Sequence, residues 1–249
     1  MELTYSEKEH ARHNAFQSIW NNEINNVFAD VASYYDRINW FASLGMLDNW
    51  RQRFLSTVKT RPGARVLDVC AGTNVIGIDL LKQEPSLRVH AIDRSADMQR
   101  VGRERARKLG FEIDSTISDV HKLPFPDNHF DIVTLQYASR HLRIMDVFSE
   151  INRVLKPGGH FYHCDMLRPS NRIVEHGYYL YLRACLALLS WAFRSGSAAV
   201  KCQRYFIDAI RMFYSTEELS AMLKELGYSN VVGRSVMGGA VAFHQACKP

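Results

Sequence analysis

The stretch Val66-Leu67-Asp68-Val69-Cys70-Ala71-Gly72-Thr73 decides the fold. A short β-branched run giving way to small residues reads as a buried strand feeding a tight turn, where backbone must pass close to a neighbour or a ligand. Arg61-Pro62-Gly63 punctuates the chain just before it. From Arg65 onward, similar runs alternate with helical patterns, the sequence form of a parallel sheet with crossover helices. Strands are expected at Arg65 to Val69, Arg88 to Ile92, Glu112 to Ser118, Phe130 to Gln136 and His160 to Asp165. Two more, Asn230 to Met237 and Ala240 to Ala246, are separated by the hairpin signal Gly238-Gly239. Between the two sets, residues 171–213 read as a helical insertion. Thr216 to Leu226 follows as an amphipathic helix, with Ser215/Thr216 at its start and Glu217 and Glu218 in its first turn. Upstream of the turn, residues 6–58 carry apolar positions at helical spacing, as in Phe28, Val31, Ala32, Tyr35 and Ile38. The expected molecule is one α/β domain, a doubly wound, seven-stranded, mostly parallel sheet with a reversed last strand. A helical cap (1–60), a ligand-binding core (61–170), a helical lid (171–213) and a C-terminal helix with hairpin (214–249) divide it.

Length agrees with that division, since 249 residues suit one elaborated domain better than two. The 47% share of AVILMFWYC supplies ample core material, and only 14 Gly and 7 Pro argue against linker-rich, collagen-like or many-turned all-β designs. The net charge of +5 is dispersed except at Arg100, Arg103, Arg105, Arg107 and Lys108. With Glu104 among them on a helical stretch, these read as a solvated face, and no nucleic-acid partner is expected. Cysteines 70, 164, 185, 202 and 247 form no C-x-x-C pair, and the opening MELTYSEKEH lacks a secretory pattern. Reduced thiols in the cytoplasm are expected. The most apolar stretch, Tyr178 to Phe193, is interrupted by Arg183, and its charge-free part from Ala184 falls well short of the roughly 20 residues of a span.

In doubly wound sheets the ligand lies beyond the carboxyl ends of the strands, where strand order reverses. Small residues Ala71 and Gly72 follow the first strand, and Asp68 stands at the entrance to that turn. The second strand ends on Asp93, about 20 residues beyond the glycine turn, the spacing at which a carboxylate accepts bonds from both ribose hydroxyls. Arg94 and Met98 come just after it. The third loop, Ser118-Asp119-Val120, offers a carboxylate to an adenine amine. A pyrophosphate would need G-x-G-x-x-G, which is absent, and Asp68 would repel phosphate while orienting an ammonium group. The pattern therefore favours S-adenosylmethionine over a dinucleotide.

VLDVCAGT, AIDRS, SDVHKLPFPDNHFD and VLKPGG together resemble the class I methyltransferase fold, a Rossmann-like sheet. LPFPDNHFD followed by Tyr137-Ala138-Ser139-Arg140-His141 is similar to the ubiE/COQ5 family, which carries out the ring C-methylation of ubiquinone and menaquinone synthesis. VFADVASYYDRIN, YFIDAIRMF (Tyr205 to Phe213) and GGAVAFHQACK extend the likeness over nearly the whole chain. The resemblance implies cofactor contacts at Thr73, Asp93, Asp119 with Val120, and Gln136, and a closing tyrosine at Tyr35. The family's Gly-Thr-Gly-Asp becomes Gly72-Thr73-Asn74-Val75 here, Gln136 stands where the family has Ser, and His141 where it has Asn.

Ring methylation requires a neighbouring phenol to lose its proton and the methyl group to be held in line, without a metal. Arg140, which matches the family's arginine, is the candidate for stabilising the phenolate. His141 or Asp165 is the candidate proton relay. His160, His163 and Cys164 do not form a metal site, because residues three apart on a strand face opposite ways, and His163 is expected in the core. His10 and His13 are expected to be solvent-exposed. The lid, with Arg172, Arg183, Arg194, Lys201 and Arg204 about its apolar stretch, suits a lipophilic quinol and a peripheral bilayer contact; an ordinary buried helix or a homodimer face is the competing reading. Two other functions stay open: a methyltransferase for another phenolic, sterol or phospholipid head group, and a non-catalytic homologue in a biosynthetic complex.

Overall fold

The computed structural model describes residues 4–24, 26, 28, 32, 35–192 and 197–249. The positions of Val31 and of the side chains of Ile38, Arg194 and Lys201 lie outside the described residues. Three helices precede the sheet: α1 (Tyr5–Asn22), α2 (Tyr35–Ala42) and α3 (Met46–Leu55). Thr4 and Glu7 close a capping box at the start of α1, which satisfies donors that the first turn would otherwise leave open.

The core alternates β1 (Arg65–Val69), α4 (Val75–Gln83), β2 (Arg88–Asp93), α5 (Ala96–Lys108), β3 (Asp114–Ile117), β4 (Phe130–Gln136), α6 (Ile144–Val154) and β5 (Leu155–Met166). The lid helices α7 (Arg172–Ala192) and α8 (Ser197–Arg211) follow, then α9 (Thr216–Glu225), β6 (Ser229–Val236) and β7 (Val241–Cys247). The seven strands lie in the order β3-β2-β1-β4-β5-β7-β6. Pairing is parallel from β3 through β5, and β7 runs antiparallel to both β5 and β6. This is the expected sheet, and the order reverses between β1 and β4, which places the crevice at their carboxyl ends.

Two strands, β3 and β5, differ from expectation by more than one residue at an end. β3 is shorter than Glu112 to Ser118, because it pairs only with β2, from His90 to Asp93. β5 is longer than His160 to Asp165: Leu155 pairs with Phe130 before a register shift, Gly158 N donates to Lys248 O, and Lys248 N donates to Gly159 O. The Gly238-Gly239 connection is a 3-10 turn, with φ of 64° and 96° that suit glycine.

Apolar alternation sorts the core. Leu67 and Val69 of β1 join Phe148, Ile151 and Leu219 on one face, and Val66 joins Phe54, Leu80 and Phe243 on the other. In α6, Ile144, Val147, Phe148, Ile151 and Val154 fall at helical spacing and are all buried. Asp68 therefore shares the face of Val66, and its carboxyl enters the sheet interior rather than solvent.

Candidate functional site

A cleft of ≈ 330 Å³ opens at the carboxyl ends of β1, β2, β4 and β5, beneath α2 and the lid helices. Its size falls at the lower end of small-molecule sites. At one end lies the turn after β1. Cys70, Gly72 and Asn74 all take left-handed backbone there, with φ of 54°, 53° and 57°. Asn tolerates this geometry better than most residues, so the replacement of the family's glycine leaves the turn intact. The Asn74 side chain is fully buried and its Oδ1 accepts from Gln99 Nε2 at 2.8 Å; the same nitrogen donates to Gly72 O at 2.9 Å. Helix α5 comes this close because Gly102 has no side chain: a Cβ there would lie 2.7 Å from Asn74 Cγ and 2.8 Å from Thr73 C.

Two carboxylates meet the turn. Asp93 accepts from Gly72 N through Oδ2 and from Ser95 N through Oδ1, both at 2.8 Å, and burial raises its pKa. Asp68 accepts from Thr134 Oγ1 at 2.7 Å, while its buried Oδ2 has no partner. Burial pushes this carboxyl up to about 7, against the Thr134 bond and the Gly77 amide at the start of α4. An orphaned carboxylate oxygen beside a turn of small residues fits the ammonium group of an amino-acid tail.

Helix α2 covers this end. Asp36 pairs with Arg105 Nη2 at 2.5 Å and accepts from Thr73 Oγ1 at 3.2 Å, which ties α2, α5 and the turn together. Arg105 is thus more than part of a solvated face. Arg94 Nη1 donates to Trp20 O at 2.9 Å and anchors the end of α1, and Tyr35 lines the cleft against Phe28.

The other end is built by Ser139–His141 and the lid. Arg140 is buried, donates from Nη1 to Asp165 Oδ1 at 2.7 Å and to Tyr137 O at 2.8 Å, and stacks over Phe206 at 4.8 Å. Its Nε is buried without a partner. Asp165 also accepts from Ser139 N and Met166 N, each at 2.7 Å. Each of its oxygens is therefore engaged, and it faces away from the cleft as a brace for Arg140. His141 Nδ1 bonds the Tyr205 hydroxyl, which also accepts from Trp20 Nε1 at 2.8 Å. Burial and the charges of Arg140 and Arg12 hold this imidazole well below its usual basicity. Sequence reasoning missed Arg12, whose fully buried guanidinium donates from Nη2 to Arg140 O at 3.0 Å and Leu142 O at 3.3 Å; no local pattern marks a helix arginine as internal. It also missed Tyr178, discussed below.

Of the expected cofactor residues, Tyr35, Asp68, Ala71, Gly72, Thr73, Asp93, Arg94, Met98 and Gln136 line the one cleft, with Arg140 and His141. Asp119 and Val120 do not. Asp119 turns to His121, accepting from its backbone N at 2.7 Å and its Nδ1 at 2.6 Å, and the imidazole bond holds the carboxyl down at about 2. Val120 packs into the core beside Leu123. His163 is buried in the core as expected; His10 is exposed, whereas His13 is half-buried against Trp20.

The ubiE/COQ5 methyltransferase family matches residues 16–248. The chain is 33% identical over 234 residues to the ubiquinone/menaquinone biosynthesis C-methyltransferase of Pseudomonas savastanoi pv. phaseolicola, with 90% of this chain and 88% of that protein covered. In fold it is similar to a SAM-dependent methyltransferase of Thermotoga maritima described as a possible histamine N-methyltransferase (TM-score 0.63, 17% identity, 90% and 99% covered). It is also similar to phosphoethanolamine N-methyltransferase 2 of Haemonchus contortus, solved with S-adenosyl-L-methionine (TM-score 0.60, 17% identity, 81% and 52% covered). At such identities the structural likenesses establish the sheet and not the acceptor.

Proposed function

The chain belongs to the ubiE/COQ5 methyltransferase family, and from that premise we propose that it methylates a ring carbon of a prenylated quinol of the menaquinone or ubiquinone type, with S-adenosylmethionine as methyl donor. The observation that carries the reading is a single cleft with an orphaned acidic oxygen, Asp68 Oδ2, at one end and a buried cation, Arg140, at the other. Asp68, Ala71, Gly72 and Thr73 would hold the amino-acid tail, Asp93 the ribose, and Met98 and Arg94 the walls about the base. Tyr35 and Gln136 would close over the sulfonium, whose methyl group is the electrophile. Asp119 and Val120, off the cleft, would support the adenine loop through backbone only.

Arg140 would stabilise the phenolate, because a guanidinium stays charged at every relevant pH and Asp165 fixes its orientation. Asp165 acts through Arg140, and weakly basic His141 serves better to orient the ring than to hold a proton. Proton loss then runs to solvent through the open side of the cleft.

The substrate's tail would leave between the lid helices. Ile173, Leu180 and Leu188 are exposed on α7, with Arg172 and Arg183 exposed on the same helix, an arrangement suited to the surface of an anionic bilayer. No helix among the described residues is long and apolar enough to cross one. A second copy of the chain is the competing occupant of this face, and sedimentation with and without vesicles separates the two.

The deciding measurement is methyl transfer to demethylmenaquinol, a demethoxy-ubiquinol precursor and simple phenols side by side. Turnover is expected with a prenylated quinol and at least ~10-fold lower without the prenyl chain. Equal turnover of simple phenols, or none with either quinol, overturns the acceptor.

A further inference from the structure

Tyr178, on the lid helix α7, is more than nine-tenths buried, lines the cleft, and its hydroxyl has no hydrogen-bond partner. A buried hydroxyl left unmade is costly, so native structures rarely keep one without a use. Its surroundings say what the use is. Phe206 packs against the cluster that contains Tyr178 and lies 4.8 Å beneath the Arg140 guanidinium, Tyr178 and Arg140 line the same cleft, and the Arg140 charge acts on the Tyr178 hydroxyl. Arg140 itself keeps Nε buried and unpartnered. Burial raises the Tyr178 pKa far above neutrality, with the Arg140 charge opposing, so the hydroxyl is a neutral donor at any working pH. Tyr137, the other cleft tyrosine with an unpartnered hydroxyl, lies against Cys164 instead.

We propose that the Tyr178 hydroxyl is a second donor, beside Arg140, to the oxygen of the acceptor phenol, so that the lid helix completes an oxyanion site. The inference rests on the ring-methylation reading above. In the balanced reaction the phenol proton leaves to solvent and the ring carbon forms the new C–C bond. The S–CH₃ bond breaks with its electron pair kept on sulfur. The hydrogen on the methylated carbon then leaves to water as the oxygen regains a proton, for a net release of one proton. Negative charge sits on the oxygen before the new bond forms, and two preorganised donors there lower the pKa of the bound phenol. The same arrangement makes the lid a sensor of the acceptor, since a ring without an oxygen at that place leaves both donors unpaired.

Tyr178→Phe is the test, because it removes only the hydroxyl. The variant is expected to melt at or above the wild-type temperature, since an unpaired buried polar group is gone, and to bind S-adenosylhomocysteine unchanged. Its kcat at pH 7 should fall about 10- to 100-fold with KM for the quinol changed far less. The rising limb of its kcat–pH profile should move to higher pH, so that part of the loss is recovered in alkali. A kcat and pH profile equal to wild type overturns the proposal, as does a melting temperature and kcat that fall together with no shift of the profile. Wild type that methylates no quinol overturns instead the reading on which it rests.

Discussion

Asp68 is a carboxyl whose sequence position announces a ligand and whose burial sets its charge. A carboxyl pKa raised to about 7 in the fold, against about 3.9 when unfolded, favours the folded state fully only below the lower value, and that contribution is lost as pH rises through about 7. A cation at the free oxygen reverses the shift, because an adjacent opposite charge stabilises the ionised form. Binding S-adenosylhomocysteine at pH 7 is therefore expected to release about half a proton, read by calorimetry in two buffers of different ionisation enthalpy. Asp68→Asn should bind about 10-fold or more weakly and without that proton; an unchanged proton release in the variant would assign it to another group. Asp119, in the third loop, is engaged differently. Its spacing matches a strand end, and in the fold its carboxylate accepts from His121, two residues later.

At the scale of elements, α1 is tied to the rest of the fold by several polar contacts, among them Arg12 to the Arg140 carbonyl, Trp20 to Tyr205 and Glu9 to the Ile144 amide. The Asp36–Arg105 pair joins α2 to α5, and both side chains are more than a third exposed, so its contribution to global stability is small, about 0–1 kcal/mol. Its consequence lies in local opening, because α2 carries Tyr35 over the turn. Arg105→Ala is expected to leave the melting temperature within a degree or two, while S-adenosylhomocysteine dissociates several-fold faster and α2 amides exchange more quickly. Dissociation and exchange both at wild-type rates would show that α2 stays closed without the pair. On the other flank, α1 reaches through Arg12, a residue ahead of the family-matched stretch 16–248, to the carbonyls of Arg140 and Leu142 at the far end of the cleft.

Across the whole molecule, a buried chain of neutral groups joins β5, β7, α9 and the turn after β4. Thr216 O can only accept, so His244 Nε2 at 3.1 Å donates to it, and His244 Nδ1 then accepts from His163 Nδ1 at 3.3 Å. His163 Nε2 is left to accept from Ser139 Oγ at 2.6 Å, one residue before Arg140. Both imidazoles are neutral in the fold; burial lowers His163 well below its usual value and His244 to about 4. Depressed basicity in the fold means that their contribution is fully present above about 6.5 and lost as pH falls through about 4, at up to about 2.7 kcal/mol per pH unit for two groups. Asp68 and Asp93, whose basicity burial raises, act in the opposite sense, and His141, depressed like His163 and His244, adds to the rise. Thermal stability is therefore expected to rise between about pH 4.5 and 6.5, and His244→Gln should flatten the rise. A wild-type profile without slope in that window contradicts the assignment of neutral imidazoles.

Sequence alone determined the alternation of strands and helices, the reversed last strand and the place of Asp68, Gly72 and Asp93 at strand ends, because these depend on local periodicity and on a sheet's fixed relation between strand ends and ligand site. The left-handed Asn74 was legible for the same reason, being a matter of one residue's backbone. Only the tertiary structure decided that Asp119 faces His121, that Asp165 is bonded to Arg140, that Arg12 donates to the Arg140 and Leu142 carbonyls, and that Tyr178 lines the cleft. The Asp119–His121 contact is local and set by the turn after β3, whereas the others depend on which side chains from distant elements share one buried volume, and spacing along the chain carries no information about that.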